Sequence, residues 1–470
     1  MKRRNSTKCF LFVLCLATAA ATQAQIFTTL YNFSSPGPDN SQASLVQGFN
    51  GQLYGTTVYG GRGGDGTIFA MSPSGTVRVV HNFDGADGAS PWQSLVLGND
   101  GNYYGTTNYG GTSTGCSGGC GTVFKVTPTG VVTTLYSFCS LAGCIDGVNP
   151  QGGMTLGNDG NFYGTTLYGG TQNSGTFFRI TPTGTLTTLY SFGTLSGDGL
   201  FPYDSPIQAS DGNFYGTLYF GGPVSGWGTI YRITPDGTET DIYDFCSEGG
   251  CLDGKNPVGG LIQGSDGNLY GTTVAGGADN QGGVFQVTLS GAYTVIHNFH
   301  GGDGAAPIGR LVEGSNGQLY GTTSAAGGAG CNCGTIFGVS TTGSFKLLHS
   351  LTTSDGSTPV GGLVQDTNAT FYGTTAAGGT SGQGTIFSLA VGLKPFVAPN
   401  PMFGSVGTPV IILGTNLTGA TNVTFNGTAA TFTVVSATEI TTTVPTGAST
   451  GVIQVTTPHG TLSSNAFIVN

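Results

Sequence analysis

The chain has 470 residues and carries 86 glycines, but only 13 Lys and Arg and 23 Asp and Glu residues. Its charged share of 8 % lies far below the roughly one quarter of typical soluble domains, and its 19 Tyr and 28 Phe exclude a disordered acidic chain. The glycines follow no Gly-X-Y period, which excludes collagen, and no apolar run beyond residue 24 could span a bilayer, so a folded, turn-rich β protein remains.

The first 24 residues have the features of a secretion signal. Basic residues at positions 2, 3, 4 and 8 precede an apolar stretch at 9–21, and the small residues Thr22 and Ala24 come just before the expected cleavage site. Cleavage before Gln25 removes four of the 13 basic residues and leaves nine against 23 acidic ones, a net charge of −14. Such a chain repels phosphate backbones. We expect a secreted, extracellular or cell-surface protein without a transmembrane segment after cleavage, and no nucleic-acid partner.

The eight cysteines of the mature chain all occur in close pairs. In an exported protein, this spacing favours short-loop disulfides. The alternative, a zinc site, would need two of the pairs to meet in space, and the five histidines keep no fixed spacing to them. The predicted disulfides are Cys116–Cys120, Cys139–Cys144, Cys246–Cys251 and Cys331–Cys333.

Internal repetition dominates the chain. The signature Tyr-Gly-Thr-Thr, or Tyr-Gly-Thr-Leu in one copy, begins at positions 54, 104, 163, 215, 270, 320 and 372. Each unit contains four short apolar runs separated by turn residues, which we name strands A, B, C and D. In the second unit these runs are residues 94–97, 102–107, 122–126 and 131–138. Four antiparallel strands that recur about every 50 residues are typical of a propeller blade.

The two ends of the repeat region are out of phase. The mature chain begins with residues 26–33 (IFTTLYNF), which read as a D strand, and the last unit stops after its C strand at residues 385–390. An N-terminal D strand that completes the last blade would close a ring and leave no exposed edge. We therefore predict a seven-bladed β-propeller over residues 25–393, with four-stranded blades and the N-terminal strand closing the last one.

The composition changes after Lys394. Residues 395–470 contain no Lys, Arg, Tyr, Trp or Cys, and their alternating apolar runs predict a small antiparallel sandwich. Residues 406–427 (VGTPVIILGTNLTGATNVTFNG), 444–447 and 452–457 resemble the IPT/TIG family of immunoglobulin-like domains. The resemblance implies an immunoglobulin-like spacer or interaction module at residues 394–470.

The repeats resemble a bacterial tandem-repeat family named for Gloeobacter and Verrucomicrobia. The family hallmark occurs here at residues 100–107 (DGNYYGTT) and 121–125 (GTVFK). The resemblance implies a secreted or surface protein, with no activity assigned to the repeat.

Candidates for chemistry are few. His81, His297 and His349 stand in D strands where other units have Tyr, which favours a packing role. The remaining acids outside the repeated turns are mainly Glu239, Asp241, Asp244, Glu248 and Glu313, and nothing in the sequence pairs them as glycoside hydrolysis requires. Each connection from D to A repeats Asp-Gly-x-x-Pro, where Asp-Gly serves as turn chemistry. A Ca²⁺ site is the alternative for these aspartates, which stand at positions 87, 146, 198, 253, 303 and 355. We expect no other metal or cofactor.

One asymmetry suggests a ligand. Five residues after the signature Tyr, units one to four have Tyr59, Tyr109, Tyr168 and Phe220, whereas units five to seven have alanine. Trp92 in a D–A connection and Trp227 in a B–C loop map to the same face. We interpret these six residues as a platform on which sugars stack; the alternative is that the tyrosines only cover the edges of neighbouring blades.

The preferred function is therefore non-enzymatic recognition of an extracellular glycan or surface protein by a monomer. The alternatives are a polysaccharide hydrolase or lyase that uses the same face, and a purely structural adhesin.

Overall fold

The computed structural model describes residues 25–35, 37–195, 197–223, 226–328 and 330–470. The proposed signal peptide at 1–24 lies outside them. The described chain is all-β, and its one helical segment is a single 3₁₀ turn at Ala142–Cys144. Within these ranges, no helix is long and apolar enough to cross a membrane. The predicted all-β class is confirmed.

Seven four-stranded antiparallel sheets make up the repeat region, each with the order A-B-C-D. We number them 1 to 7 by their A strands. The A strands are Val46–Gln47, Val96–Leu97, Met154–Leu156, Ile207–Gln208, Ile262–Gln263, Val312–Glu313 and Val364–Gln365. The B strands are Leu53–Thr57, Tyr103–Thr107, Phe162–Thr166, Phe214–Leu218, Leu269–Thr273, Leu319–Thr323 and Phe371–Thr375.

The C strands are Thr67–Met71, Thr122–Val126, Thr176–Ile180, Thr229–Ile233, Gly283–Val287, Thr335–Val339 and Thr385–Ala390. The D strands are Val77–Asn82, Val132–Ser137, Leu186–Ser191, Glu239–Asp244, Tyr293–Asn298, Phe345–Ser350 and, in sheet 7, Ile26–Asn32. Two short ribbons add Pro38–Asp39 with Tyr59–Gly60 and Gly199–Leu200 with Phe220–Gly221. The A strands are shorter than the sequence predicts.

The B and C strands lie in the core because neighbouring sheets cover both of their faces. In sheets 1, 2, 3 and 6 the signature tyrosine packs on an aromatic residue of the next sheet, as where the ring centroids of Tyr104 and Phe162 are 4.0 Å apart and those of Tyr163 and Phe214 are 4.1 Å apart. In sheets 4, 5 and 7 the next B strand begins with leucine instead. In six of the seven sheets a phenylalanine follows the D strand and packs on a C-strand ring, as Phe138 does on Phe178 at 5.3 Å; sheet 6 has Leu351 at this place. These contacts place the signature tyrosines and the phenylalanines between neighbouring sheets.

The N-terminal strand completes the last sheet. Ile26–Asn32 pairs antiparallel with Thr385–Ala390, from Ile26 opposite Ala390 to Asn32 opposite Thr385. Phe33, which follows it, packs on Phe69 of sheet 1 at 5.7 Å. Gln47 of sheet 1 donates a hydrogen bond to Thr367 of sheet 7, with 2.9 Å between Nε2 and Oγ1. Sheets 7 and 1, the last and first of the series, are therefore in contact.

The C-terminal region forms two packed sheets. One contains Ala398–Asn400, Pro409–Leu413, Glu439–Thr443 and Phe432–Val434. The other contains Phe403–Gly404, Gly460–Val469, Gly451–Thr457, Asn422–Phe425 and Thr428–Ala429. The apolar positions of the alternating strands meet between the sheets, where Ile412, Ile440, Val423 and Ile453 are fully buried.

This region docks on the A–B turns of the repeat sheets. Thr438 Oγ1 donates to the carbonyl of Phe49 at 2.6 Å, and Thr415 Oγ1 donates to that of Thr367 at 3.2 Å. Phe49 and Thr367 belong to the A–B turns of sheets 1 and 7. The C-terminal region therefore covers the end of these sheets that is opposite to their B–C loops.

All four predicted cysteine pairs are disulfide-bonded. Two of the pairs also lie close together, which the zinc alternative required. The sulfur atoms of Cys116, Cys120 and Cys139 lie within 4.8 Å of one another. The two disulfides of sheet 2 are thus neighbours: Cys116–Cys120 lies within its B–C loop, and Cys139–Cys144 lies within the connection that follows its D strand.

Candidate ligand-binding cavity

In every sheet the B–C loop lies beside the incoming D–A connection. The residue five places after the signature Tyr pairs with that connection in all seven sheets, as Tyr109 does with Ala89 and Ala275 with Lys255. The pairing is Asp39 with Tyr59 in sheet 1 and Leu200 with Phe220 in sheet 4. These loops and connections form what we call the loop end of the sheets, and the predicted platform residues lie there.

A cavity of about 870 Å³ opens among the A strands. Its wall includes residues from the A strand, or the segment leading into it, of all seven sheets, among them Val46, Val96, Thr155, Ser205, Val258, Val312 and Val360. Two residues of the C-terminal region, Asn400 and Leu413, also line it. Because this region docks on the A–B turns, it lines the cavity from that end. The opposite end of the cavity, which we call its entrance, faces the loop end.

The entrance is asymmetric. In sheet 1, the cavity-lining residue Gln42 stands three places before Leu45. The residue at the equivalent position lies in the cavity wall in every sheet. In order from sheet 1 to sheet 7, these residues are Gln42, Trp92, Gln151, Tyr203, Val258, Ile308 and Val360. Sheets 1 to 4 therefore contribute amide and aromatic groups, and sheets 5 to 7 contribute aliphatic groups. The six platform residues all belong to sheets 1 to 4.

The predicted platform residues are accessible. Tyr59, Tyr109, Tyr168, Phe220 and Trp227 are between 39 % and 50 % exposed. Trp92 is half-buried and lines the cavity. The Trp227 ring lies beneath the Lys255 ammonium group, 4.9 Å from the ring centroid.

Only part of the platform forms a connected surface among the described residues. The ring of Tyr168 contacts Phe201 at 5.6 Å, and Phe201 contacts Phe220 at 6.4 Å. Phe220 in turn packs on Tyr219 at 4.5 Å, and Tyr219 on Tyr203 at 5.1 Å. This aromatic chain, as we call these five residues, runs from the outer loops to the cavity wall. Tyr59 and Tyr109 lie in sheets 1 and 2, outside it.

Sequence reasoning missed three members of the aromatic chain. Phe201, Tyr203 and Tyr219 all belong to sheet 4 or its incoming connection, and the last two line the cavity. The signal was present in the repeats: Phe201 and Tyr203 flank the proline of the D–A connection, where most other units have small, amide or aliphatic residues. Burial and the neighbouring Tyr168 and Tyr219 raise the pKa of Tyr203, so its hydroxyl remains a hydrogen-bond donor at neutral pH.

An ion pair spans the cavity wall between sheets 4 and 6. Arg310 Nη2 lies 3.5 Å from Asp204 Oδ1 and donates to Ser205, at 2.5 Å to the carbonyl and 2.8 Å to the hydroxyl. Gly260 of sheet 5 lies between them and donates its N–H to Asp204 Oδ2 at 2.5 Å. A side chain at Gly260 would place its Cβ 2.4 Å from Arg310 Nη2, so the guanidinium group would have to move from this position.

The repeated aspartates have structural partners. In sheets 2 and 3, for example, Tyr136 donates to Asp146 and Tyr190 to Asp198, both at 2.8 Å. Histidine takes the same place elsewhere, as where His81 Nε2 and Asp87 Oδ2 are 2.6 Å apart. The exchange of Tyr for His thus preserves one hydrogen bond to the turn. This arrangement agrees with turn chemistry for the Asp-Gly pairs.

The five acids that the sequence analysis singled out outside the repeated turns are not part of the described cavity wall. Glu239 and Asp241 are on the D strand of sheet 4, close to Asp198. Burial, with a further contribution from Asp241, raises the pKa of Glu239 to about 8. Glu313 bonds to Ser265 at the A–B end of the sheets.

Comparison with known families matches the repeat architecture over most of the chain. The model of the Gloeobacter/Verrucomicrobia repeat matches residues 17–207 and 201–431, and the model of the IPT/TIG domain matches residues 397–468. A comparison with curated proteins found no significant match.

Three solved structures that are similar to this chain are distant from it in sequence. One is described as an auxiliary nutrient binding protein from Bacteroides thetaiotaomicron, with 13 % identity, a TM-score of 0.44 and coverage of 78 % of this chain and 76 % of the other. A puromycin hydrolase has 10 % identity, a TM-score of 0.46 and coverage of 82 % and 61 %. A luciferin-regenerating enzyme has 11 % identity, a TM-score of 0.38 and coverage of 79 % and 98 %. By the match of its repeats, the chain belongs to the Gloeobacter/Verrucomicrobia repeat family.

Proposed function

We propose that the seven sheets are the blades of one closed propeller. Three observations support this: the N-terminal strand completes sheet 7, sheet 7 contacts sheet 1, and residues from all seven sheets line a common cavity. A closed ring leaves no unpaired strand edge between the first and last blades. The domains would then be the propeller at 25–393 and the immunoglobulin-like domain at 394–470.

We further propose that the protein binds an extracellular ligand at the loop end and has no enzymatic activity. The observation that carries this proposal is the aromatic chain, which joins exposed rings of the loops to the wall of the cavity. Exposed aromatic groups that lead into a concave site are a common feature of ligand binding. The four disulfides favour a location outside the cytoplasm, either secreted or on the cell surface.

A glycan is the ligand class that we favour. Sugar rings combine flat apolar faces with hydroxyl groups, and the entrance offers aromatic faces beside the amide groups of Gln42, Gln93 and Gln151. The low charge of the chain also suits a neutral ligand better than a highly charged one. A surface protein is the second candidate, because the IPT/TIG resemblance implies an interaction module.

The hydrolase alternative has less support. Glycoside hydrolysis uses two carboxyl groups about 5–10 Å apart. Within the described wall of the cavity, Asp204 is the one carboxylate, and it is bonded to Arg310 and to the N–H of Gly260. A carboxylate held in this way is a poor general acid or nucleophile.

The experiment is binding of the mature protein, residues 25–470, to an array of polysaccharides and glycans. We expect selective binding by the wild type. The double variant Tyr168→Ala and Phe220→Ala should bind the same glycans at least tenfold more weakly, since each lost aromatic contact corresponds to about 1 kcal/mol.

Leu347→Ala is the matched control. This side chain is 39 % exposed, as exposed as Tyr168, but it lies on a D strand away from the loop end. The control should bind like the wild type. A blank array would refute the glycan proposal, and unchanged binding by the double variant would refute the aromatic site.

A further inference from the structure

Three carboxylates converge between sheets 3 and 4, outside the cavity. Asp198 lies in the connection from sheet 3 to sheet 4, and Glu239 and Asp241 lie on one face of the D strand of sheet 4. One oxygen from each carboxylate lies within 4.8 Å of the other two. Asp198 is only 7 % exposed, so solvent hardly reaches the three carboxylates from the side of Asp198.

Each of these carboxylates has a buried oxygen without a hydrogen-bond donor. The orphaned atoms are Asp198 Oδ1, Glu239 Oε1 and Asp241 Oδ1. The other oxygen of Asp198 accepts from the Tyr190 hydroxyl and from backbone N–H groups at 2.7–3.1 Å. In the described part of the chain, no Lys or Arg forms an ion pair with the three acids. Uncompensated buried charges are costly unless they are neutralised or coordinate a cation.

A second observation points to a ligand at the same place. Thr229 begins the C strand of sheet 4, is fully buried, and has a hydroxyl that makes no hydrogen bond within the described structure. In five other sheets the equivalent hydroxyl bonds to a B-strand threonine, as Thr67 does to Thr57 at 2.8 Å. Leu218 replaces that threonine in sheet 4. Thr229 is on the same face of the sheet as Tyr231 and its partner Asp241, so its free oxygen faces the acids.

Sheet 4 departs from the repeat at these positions. The position of Glu239 is occupied in the other sheets by Val77, Val132, Leu186, Tyr293, Phe345 and Phe27. The position of Asp241 is occupied by Val79, Thr134, Thr188, Val295, Leu347 and Thr29. The other six sheets thus form with uncharged residues at both positions. Formation of the sheet therefore does not require the two acids.

We propose that Asp198, Glu239 and Asp241, with the hydroxyl of Thr229, bind one Ca²⁺ ion. Ca²⁺ takes six to eight oxygen ligands in flexible geometry, and carboxylates can supply two oxygens each. Water completes the shell on the side of the partly exposed Glu239 and Asp241. The ion neutralises the carboxylates and joins the connection before sheet 4 to the outer strand of that sheet.

The site is also continuous with the aromatic chain. Asp198 directly precedes Gly199–Leu200, which pairs with Phe220–Gly221, and Phe201 follows. The calcium proposal does not depend on the glycan proposal, however, because its ligands lie outside the cavity wall.

The test measures Ca²⁺ binding to EDTA-treated mature protein by calorimetry, with Tb³⁺ luminescence excited through tyrosine as a second readout. We expect one Ca²⁺ per chain in the wild type. The double variant Glu239→Val and Asp241→Thr, which installs residues found at these positions in other sheets, should bind at least tenfold more weakly. Asp279→Asn removes an exposed acid elsewhere and should bind like the wild type.

The outcomes decide the proposal. Circular dichroism checks that the double variant is folded; if it is not, the isosteric pair Glu239→Gln and Asp241→Asn replaces it. The absence of Ca²⁺ binding by the wild type would overturn the site. Wild-type affinity in a folded double variant would do the same.

Discussion

The acids of sheet 4 make the free energy of unfolding depend on pH in an unusual direction. In the ion-free protein, burial raises the pKa of Glu239 from 4.5 to about 8 and that of Asp241 from 3.8 to about 7. Between about pH 4 and pH 8, the folded state therefore holds more protons than the unfolded state. Stability must fall as the pH rises through this window, because unfolding releases protons.

The size of the fall follows from the same values. A rise to about 8 for Glu239 corresponds to about 5 kcal/mol, and a rise to about 7 for Asp241 to about 4 kcal/mol. Both groups are partly open to solvent, which screens them, and their mutual repulsion enters both values. Together they should lower the stability by about 3 kcal/mol between pH 4.5 and pH 8.5.

The double variant Glu239→Val and Asp241→Thr removes both groups. Urea unfolding in EDTA should show that the variant is more stable than the wild type at pH 8.5 by about 3 kcal/mol, with a difference that shrinks towards pH 4.5. Asp244 remains in both proteins, so its titration largely cancels in the comparison. A difference that stays constant with pH would refute the assignment of these two groups as the cause.

Three further predictions follow from contacts in the repeat region. Tyr231→Phe should raise the free energy of unfolding by about 1 kcal/mol in urea, because the hydroxyl is buried without a partner; a loss of stability would mean that this hydroxyl is bonded. Gly260→Ala should cost about 1–3 kcal/mol by displacing the Arg310 guanidinium group, and equal stability to the wild type would show that the pair is dispensable. Deletion of Ile26–Asn32 should leave Thr385–Ala390 as an open edge and produce aggregates in sedimentation analysis, whereas a stable monomer would contradict the role of this strand.

Much of the fold could be predicted because each unit repeats the same local chemistry. The signature tyrosine, the Gly turns and the spacing of apolar runs occur seven times. Where the pattern of one unit is ambiguous, the other units therefore indicate how its strands are assigned. The pairing of the N-terminal strand with Thr385–Ala390 was also predictable, since residues 26–33 share the pattern of a D strand. The A strands are shorter than expected, since pairing with strand B begins only at Val96 in sheet 2 and leaves Ser94 and Leu95 outside the strand.

The candidate site was less accessible to sequence reasoning. Arg310 and Asp204 are separated by more than 100 positions and meet where the intervening Gly260 leaves room. Phe201 and Tyr203 deviate from the repeat, but their ring contacts depend on how the connection before sheet 4 folds. The docking of the C-terminal region on the A–B turns has no sequence signal, since it rests on hydrogen bonds from threonines such as Thr438.

The central claim, that a ligand binds at the loop end, is tested most directly by tryptophan fluorescence. The chain contains two tryptophans, and both lie at this end: Trp92 in the cavity wall and Trp227 in the B–C loop of sheet 4. Titration with a polysaccharide selected on the array should change the emission saturably and protect it from acrylamide quenching. The Tyr168→Ala and Phe220→Ala double variant should require at least tenfold more ligand for the same change. Binding detected by calorimetry without any change in tryptophan emission or quenching would contradict the account.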